Sequence, residues 1–287
     1  MIEEVWDVTT HQSPGSRETA LVETRIKVMT WNVWWRFGPW QERAPLIDAV
    51  VAAEDPDILC LQEVWDTGDD NQAARLAESR GYDFAFEPVL PIDGVTWGMA
   101  ILSRWPIVET EGLKLVSMPS DDGSRDCRAM RICVEGPRAE IDVFNTHLSW
   151  RPEEGALRQK QVADLCRFVE NQAKGDMPPI VCGDFNAVPT SDEVRMMTGE
   201  AAVPVDGLFL FDAWRAAGHT EAGFTWDNIN PLTHAALQPN RRLDYVFVGN
   251  PRADGTGHVT GAWQAGAEPV DGLYGSDHFA VVAEIRY

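Results

Sequence analysis

Ile58-Leu59-Cys60-Leu61-Gln62-Glu63-Val64 decides the reading of this chain. The apolar run follows Asp55-Pro56-Asp57, a helix breaker, and reads as a buried strand. Yet it closes on a carboxylate, and an isolated carboxylate is too costly to leave in a core. Glu63 therefore either leaves the sheet for solvent or meets a cation. Working outward, the same pattern of an apolar run carrying a polar group recurs. It is found in Thr30-Trp31-Asn32-Val33, Asn145-Thr146-His147-Leu148 and Gly183-Asp184-Phe185-Asn186. Phe224-Thr225-Trp226, Arg242-Leu243-Asp244-Tyr245 and Ser276-Asp277-His278 repeat it. Polar groups at strand ends converge on one cleft when the strands share a sheet. Such a cleft holds acidic ligands, amide donors and two histidines, the groups that hydrolyse a phosphate ester with a divalent ion.

Between these segments the pattern predicts more strands than helices. Residues 25–33 alternate, with Ile26, Val28 and Thr30 on one face. Residues 41–53 read as a helix with Leu46, Ile47, Val50 and Val51 on one side, and residues 71–80 as a short helix closed by Gly81. Strands are expected near 83–87, 98–103, 108–116, 128–134 and 140–147, with a Ser/Asp/Gly-rich loop over 119–126. Pro152 sits as a first helical residue before Glu153 and Glu154. The helix it opens carries Val162, Leu165, Cys166 and Val169 as its apolar stripe. A strand over 179–184, a short helix from Ser191, a loop over 223–240 and strands over 243–248 and 279–285 complete the reading. Several strands lie too close together for helical crossovers, which points to mixed or antiparallel sheets. Residues 1–24 are polar and are expected to precede a single domain over 25–287.

Composition sets limits on partners. Lys and Arg number 24 against 45 Asp and Glu, a formal net charge of −21. That argues against a broad electrostatic footprint for duplex DNA. The five cysteines make no zinc pattern, and Cys60, Cys166 and Cys182 sit in apolar runs, so a reducing cytoplasmic setting is the expectation. No basic stretch followed by an apolar run opens the chain and no stretch is long and apolar enough to span a bilayer. A monomer is expected.

In its order of motifs the chain resembles the endonuclease/exonuclease/phosphatase superfamily. That superfamily includes deoxyribonuclease-I-like nucleases, apurinic endonucleases, neutral sphingomyelinases and inositol polyphosphate 5-phosphatases. The resemblance runs from about Ile26 onward. It implies an α+β fold, a four-layer α/β/β/α sandwich of two packed mixed sheets with the site at one edge. It also implies Mg²⁺ (or Mn²⁺) held by Glu63 with Asn32, and Asp277 on the metal side. His278 and Asp244 are implied as the base and its orienting carboxylate, and Asp184 polarises the attacking water or leaving oxygen. Asn186 is implied as a donor to phosphoryl oxygens, and His147 as a phosphate contact or proton donor to the leaving group. A histidine at 147 leans away from the apurinic endonuclease branch.

The residues themselves support these roles. Magnesium prefers hard oxygen ligands and keeps several waters, so one or two carboxylates suffice. An imidazole takes a proton near neutral pH, and a carboxylate on its other nitrogen fixes the tautomer. A carboxylate and an amide two residues apart, as in Asp184 and Asn186, project on the same side of an extended segment. Arg128 or Arg131 is a candidate phosphate contact, because guanidinium forks match phosphate oxygens; a surface strand position is the alternative.

Twelve tryptophans stand against four tyrosines, many beside the motifs, with Trp35 and Trp226 as candidate substrate contacts. Such rings stack on bases, grip a sugar, enter a lipid interface, or simply pack loops. The expected activity is a metal-dependent phosphoesterase acting on a phosphodiester or phosphomonoester of a small molecule, lipid headgroup or nucleic-acid end. Nucleic acid is a possible partner, though not as a strongly held duplex. A general DNA or RNA nuclease and a catalytically silent binding module are the alternatives.

Overall fold

A computed structural model describes residues 24–118 and 126–287. Apart from Thr24 and Asp126, the expected extension over 1–24 and loop over 119–126 lie outside the described residues. In chain order the elements are β1 (Arg25–Asn32), α1 (Trp40–Glu54), β2 (Ile58–Asp66), α2 (Gln72–Glu78), β3 (Asp83–Ile92) and β4 (Val95–Ser103). β5 (Ile107–Lys114), β6 (Arg128–Glu135), β7 (Glu140–His147), α3 (Gly155–Gln172), β8 (Ile180–Asp184) and α4 (Asp192–Met197) follow. The last are β9 (Phe211–Asp212), α5 (Ala213–Ala216), β10 (Asp244–Val248), β11 (Val259–Ala265) and β12 (Ala280–Arg286).

The strands form two six-stranded sheets, β11-β12-β1-β2-β4-β3 and β5-β6-β7-β8-β10-β9. Both are mixed. β1 runs parallel to β2 and β7 parallel to β8, while the remaining neighbours are antiparallel. Strand alternation sorts the apolar residues into three layers. Ile26, Val28, Ile58 and Cys60 meet Ile132, Val143, Ile180 and Val246 between the sheets. Met29, Trp31, Leu59 and Leu61 face Ile47 and Val51 of α1 and Leu76 of α2. On the far side Phe144, Val181 and Phe247 face Val162, Leu165 and Val169 of α3 and Val194 and Met197 of α4. The order is helix, sheet, sheet, helix, as expected.

Four elements depart from the sequence reading. Pro152 opens a 3-10 turn (Pro152–Glu154) instead of the α-helix, which starts at Gly155. The Arg158 guanidinium takes the carbonyls of Ser149, Arg151 and Pro152, holding that turn tight. β11 escapes pattern reading because a bulge between Val259 and Gly261 sets its inter-sheet positions Val259 and Ala262 three apart, while the buried Ala265 faces the helical layer. β9 and α5 are too short to carry a period. Among the described residues no helix is long and apolar enough to cross a membrane.

Candidate active site

Alternation within each sheet carries polar groups to one edge of the inter-sheet layer. The inward row Ile26, Val28, Thr30 of β1 ends on Asn32, and the row Ile141, Val143, Asn145 of β7 ends on His147. Ile180 and Cys182 of β8 lead to Asp184, and Val248 and Val246 of β10 lead back to Asp244. Strands β1, β7 and β8 finish at this edge, and β2 runs past it. Their antiparallel neighbours begin there, so Asp244 opens β10 and His278 stands just before β12. Beneath these groups Gln62 of one sheet donates to the Asn145 side-chain oxygen of the other at 2.7 Å, and Asn145 donates to the Leu61 carbonyl at 2.9 Å. Both amides are buried, and the pair seals the apolar layer with bonded polar groups.

Glu63 reaches the site by a bulge. β2 does not end there but continues to Asp66, and its pairing with β4 shifts register between Gln62 and Val64. Glu63 takes a left-handed conformation, φ 57°. Val64 thereby joins the face of Leu59 and Leu61, and the Glu63 side chain turns into the cleft. Its Oε1 accepts from the Asn32 amide at 3.1 Å, and the same amide nitrogen donates to Asp184 Oδ2 at 3.1 Å. The Asn32 oxygen is taken by the Trp34 N–H at 3.0 Å. In this orientation the Asn32 nitrogen donates to both Glu63 and Asp184.

His278 Nδ1 lies 2.8 Å from Asp244 Oδ2, and its other nitrogen faces the cleft 3.8 Å from Asp184 Oδ2. Burial pulls the imidazole down, but the carboxylates of Asp244 and Asp184 outweigh it and leave His278 raised well above the ordinary histidine value. The Thr225 hydroxyl accepts from the N–H groups of Leu243 and Asp244 at 3.0 and 3.3 Å. Ser276 Oγ donates to the Asn32 carbonyl at 2.7 Å and accepts from the His278 N–H at 3.2 Å, tying the two motifs together. His147 Nε2 stands 3.5 Å from Asp184 Oδ2 and 4.0 Å from Glu63 Oε1, with its ring against Trp97. Asp184 Oδ1 accepts from the Asn186 N–H at 2.8 Å. Asn186 is left-handed, φ 48°, not extended. Its amide reaches the cleft by this turn and donates to the Leu148 carbonyl at 3.2 Å.

The oxygen donors fit a hard divalent cation. Glu63 Oε2 is buried without a hydrogen-bond partner, an arrangement that is costly unless a cation meets it. Burial pushes the Asp277 carboxyl up to about 7, the Glu63 charge adding to the rise and His278 and Arg43 opposing it. Asp184, Asp244 and His278 also offer atoms within 4.8 Å of one another. We favour Glu63 and Asp277, because Asp244 Oδ2 orients His278 and Asp184 accepts from Asn32 and Asn186, while Asp244 Oδ1, like Glu63 Oε2, is buried without a partner.

The groups open into a cleft of about 730 Å³ walled by Trp34, Phe37, Trp97, Trp150 and Trp226, with Leu90 and Ile92 of the β3–β4 hairpin. Trp226, as expected, lines it, its ring 5.1 Å from that of His278. Trp34 stands in the wall where Trp35 was expected, and Trp35 does not line the cleft. Arg128 is bound to Glu87 at 2.8 Å and is not part of the lining. Arg131 is buried between Asp142 and Glu109. The phosphate contact expected of either arginine has no support in this arrangement.

The sequence pattern of the Endonuclease/Exonuclease/phosphatase family matches residues 29–278. The chain belongs to the endonuclease/exonuclease/phosphatase family. This is a family of metal-dependent phosphoesterases and nucleases. Nocturnin of Homo sapiens is 32% identical over 219 residues, covering 72% of this chain and 48% of that protein. Protein angel homolog 2 of Mus musculus is 30% identical over 164 residues, covering 53% and 30%. The chain thus spans under half the length of these curated relatives. The human Nocturnin catalytic domain with bound sulfate superposes with a TM-score of 0.67 at 24% identity, covering 92% of this chain and 96% of that one. TDP2 of D. rerio complexed with single strand DNA product gives 0.70 at 20%, covering 92% and 100%. At these identities the likeness is one of fold.

Within this family fold, Arg43 is a site residue that sequence reading missed. It is 1% exposed, yet it pairs with no carboxylate among the described residues. Its guanidinium donates to the carbonyls of Val33, Trp34, Trp35, Phe37 and Gly275, at 2.7 to 3.1 Å. Burial lowers it to about 10 against the pull of Asp277 and Glu63. The signal was its place on the stripe Arg43, Ile47, Val51, where spacing of four puts it on the buried face of α1.

Proposed function

We propose that the chain is a divalent-metal-dependent phosphoesterase in which water, activated by His278 with Asp244, attacks phosphorus in line. The observation that carries this reading is the buried 2.8 Å contact between His278 Nδ1 and Asp244 Oδ2, which leaves Nε2 facing the cleft. Asp244 fixes the tautomer and stabilises the imidazolium once the proton has moved to Nε2. The second amide hydrogen of Asn186 and the His147 ring serve the phosphoryl oxygens, whose charge grows in the transition state. Asp184 keeps Asn186 and Asn32 in place. Glu63 and Asp277 are the residues that would hold a Mg²⁺ or Mn²⁺ ion. When bound, such an ion supplies positive charge to a phosphoryl oxygen and to the leaving group.

The substrate is a phosphodiester or phosphomonoester on a small molecule, lipid headgroup or nucleic-acid end. The net charge of −21 and the pairing of Arg128, Arg131, Arg158 and Arg242 with carboxylates disfavour a long duplex track. A panel of bis-p-nitrophenyl phosphate, p-nitrophenyl phosphate, single- and double-stranded DNA, RNA, sphingomyelin and sugar phosphates, each with Mg²⁺, Mn²⁺ or EDTA, tests this. Metal-dependent turnover of one class supports it. Silence throughout, with metal bound, favours a binding module.

A further inference from the structure

Two neighbouring arginines meet opposite fates. Arg242 is buried and forms a two-pronged pair with Asp212 at 2.9 and 2.7 Å. Arg241, half-buried, lines the cleft beside Trp226, Ala236 and Gln238. One of its terminal nitrogens donates to the neutral Gln238 side chain, and its Nε is buried with no partner. Among the described residues no carboxylate forms an ion pair with it. Its backbone is fixed by two bonds to Trp226, at 2.9 and 2.8 Å, and its guanidinium lies over the Trp226 ring at 6.0 Å. The same indole stands edge-to-face with His278, ring centroids 5.1 Å apart. A cation is therefore held beside the indole that meets the proposed base, ion-paired with no carboxylate among the described residues, the Asp184 charge acting on it only at a distance.

A second cation faces the same cleft. Arg151 lies over Trp150, and its contact with Glu154 is long at 3.7 Å. Arg158 holds the Arg151 carbonyl at 2.6 Å, and Arg151 and Arg241 both line the cleft. In a chain of net charge −21, a guanidinium left unmatched in a partly desolvated wall is costly unless an arriving anion meets it.

We propose that Arg241, with Arg151 lining the same cleft, forms a second anion subsite, so that the substrate is a phosphoester carrying a further phosphate or carboxylate. This rests on the phosphoesterase reading of the cleft. The subsite shares Trp226 with the point where the scissile phosphate meets His278. Guanidinium binds phosphate oxygens by paired N–H donors, which an amide cannot replace.

The test is calorimetric titration of the full chain with adenosine 5′-monophosphate and with adenosine 3′,5′-bisphosphate, in EDTA, for wild type, Arg241→Gln and Arg241→Lys. The wild type should favour the bisphosphate at least tenfold, Arg241→Gln should lose that preference and Arg241→Lys should keep part of it. No preference in the wild type, or a preference that survives Arg241→Gln, overturns the subsite. Equal weakening of both ligands would assign Arg241 to the scissile phosphate and overturn it too. Hydrolysis of bis-p-nitrophenyl phosphate by the wild type judges the phosphoesterase reading separately, so the two failures are distinguishable. Thermal melts show whether each variant is folded.

Discussion

Asp184 Oδ2 stands 3.8 Å from His278 Nε2. The separation is too long for a hydrogen bond, and the oxygen is instead held by the Asn32 amide at 3.1 Å. The cleft-facing nitrogen of His278 is thus flanked by a carboxylate without being bound to it. It is free to exchange a proton with a reacting group, while Nδ1 is fixed by Asp244. His278→Ala should lower kcat by about 10²–10⁴-fold or more with the fold intact, and Asp244→Asn by about 10²–10⁴-fold through loss of the tautomer lock. Turnover and circular dichroism on the same samples check this. Near-normal turnover in His278→Ala would remove the proposed base.

Asp244 and Asp277 are both raised, Asp277 to about 7, and His278 is raised as well. Groups raised in this way bind their protons more tightly folded than unfolded. Their stability contribution is full below the unfolded pKa and is lost as pH climbs through the folded one. For Asp277 that window runs from 3.8 to about 7. In EDTA, Tm should therefore fall from about pH 5 to about pH 8. Mg²⁺ favours ionised ligands, so its stabilising shift should grow over the same range, reaching about 1.4 kcal/mol at a tenfold excess over Kd. Scanning calorimetry with and without Mg²⁺ measures both. A Mg²⁺ shift that shrinks with pH would argue against Glu63 and Asp277 as the ligands.

Arg43 ties the Trp34–Phe37 wall to Gly275, which precedes the Ser276-Asp277-His278 motif. Arg43→Met strips the donor from these buried carbonyls and should cost about 3 kcal/mol or more. Arg43→Lys keeps the charge but not the fork, and should raise KM several-fold with a smaller loss of Tm. Melting curves and a KM-against-kcat comparison decide the matter. An Arg43→Met protein with wild-type Tm and KM would show the hub to be dispensable.

Much of this arrangement was legible because strand alternation is a short-range property. The rows ending on Asn32, His147 and Asp184 can be counted off the sequence, and the helices carry their stripes openly. Glu63 was legible as an anomaly but not as a bulge. A strict period of two puts it outside with Leu59 and Leu61, and only pairing with β4 makes the register slip. The turn at Asn186 was hidden for a similar reason, since its side chain is held by the Leu148 carbonyl, just past the end of β7 and 38 residues away. Arg128 misled because its partner Glu87 lies 41 residues away, and no local pattern announces such a pairing.

The order of strands has a consequence for synthesis. β1 lies between β2 and β12, so the strand nearest the start of the domain is flanked on one side by the final one. A growing chain that has emerged only through β10 already carries Asn32, Glu63, His147, Asp184 and Asp244, yet lacks Asp277 and His278. Its first sheet also has an open edge at β1. A chain cut short before Ser276 would therefore lack Asp277 and the proposed base His278 together.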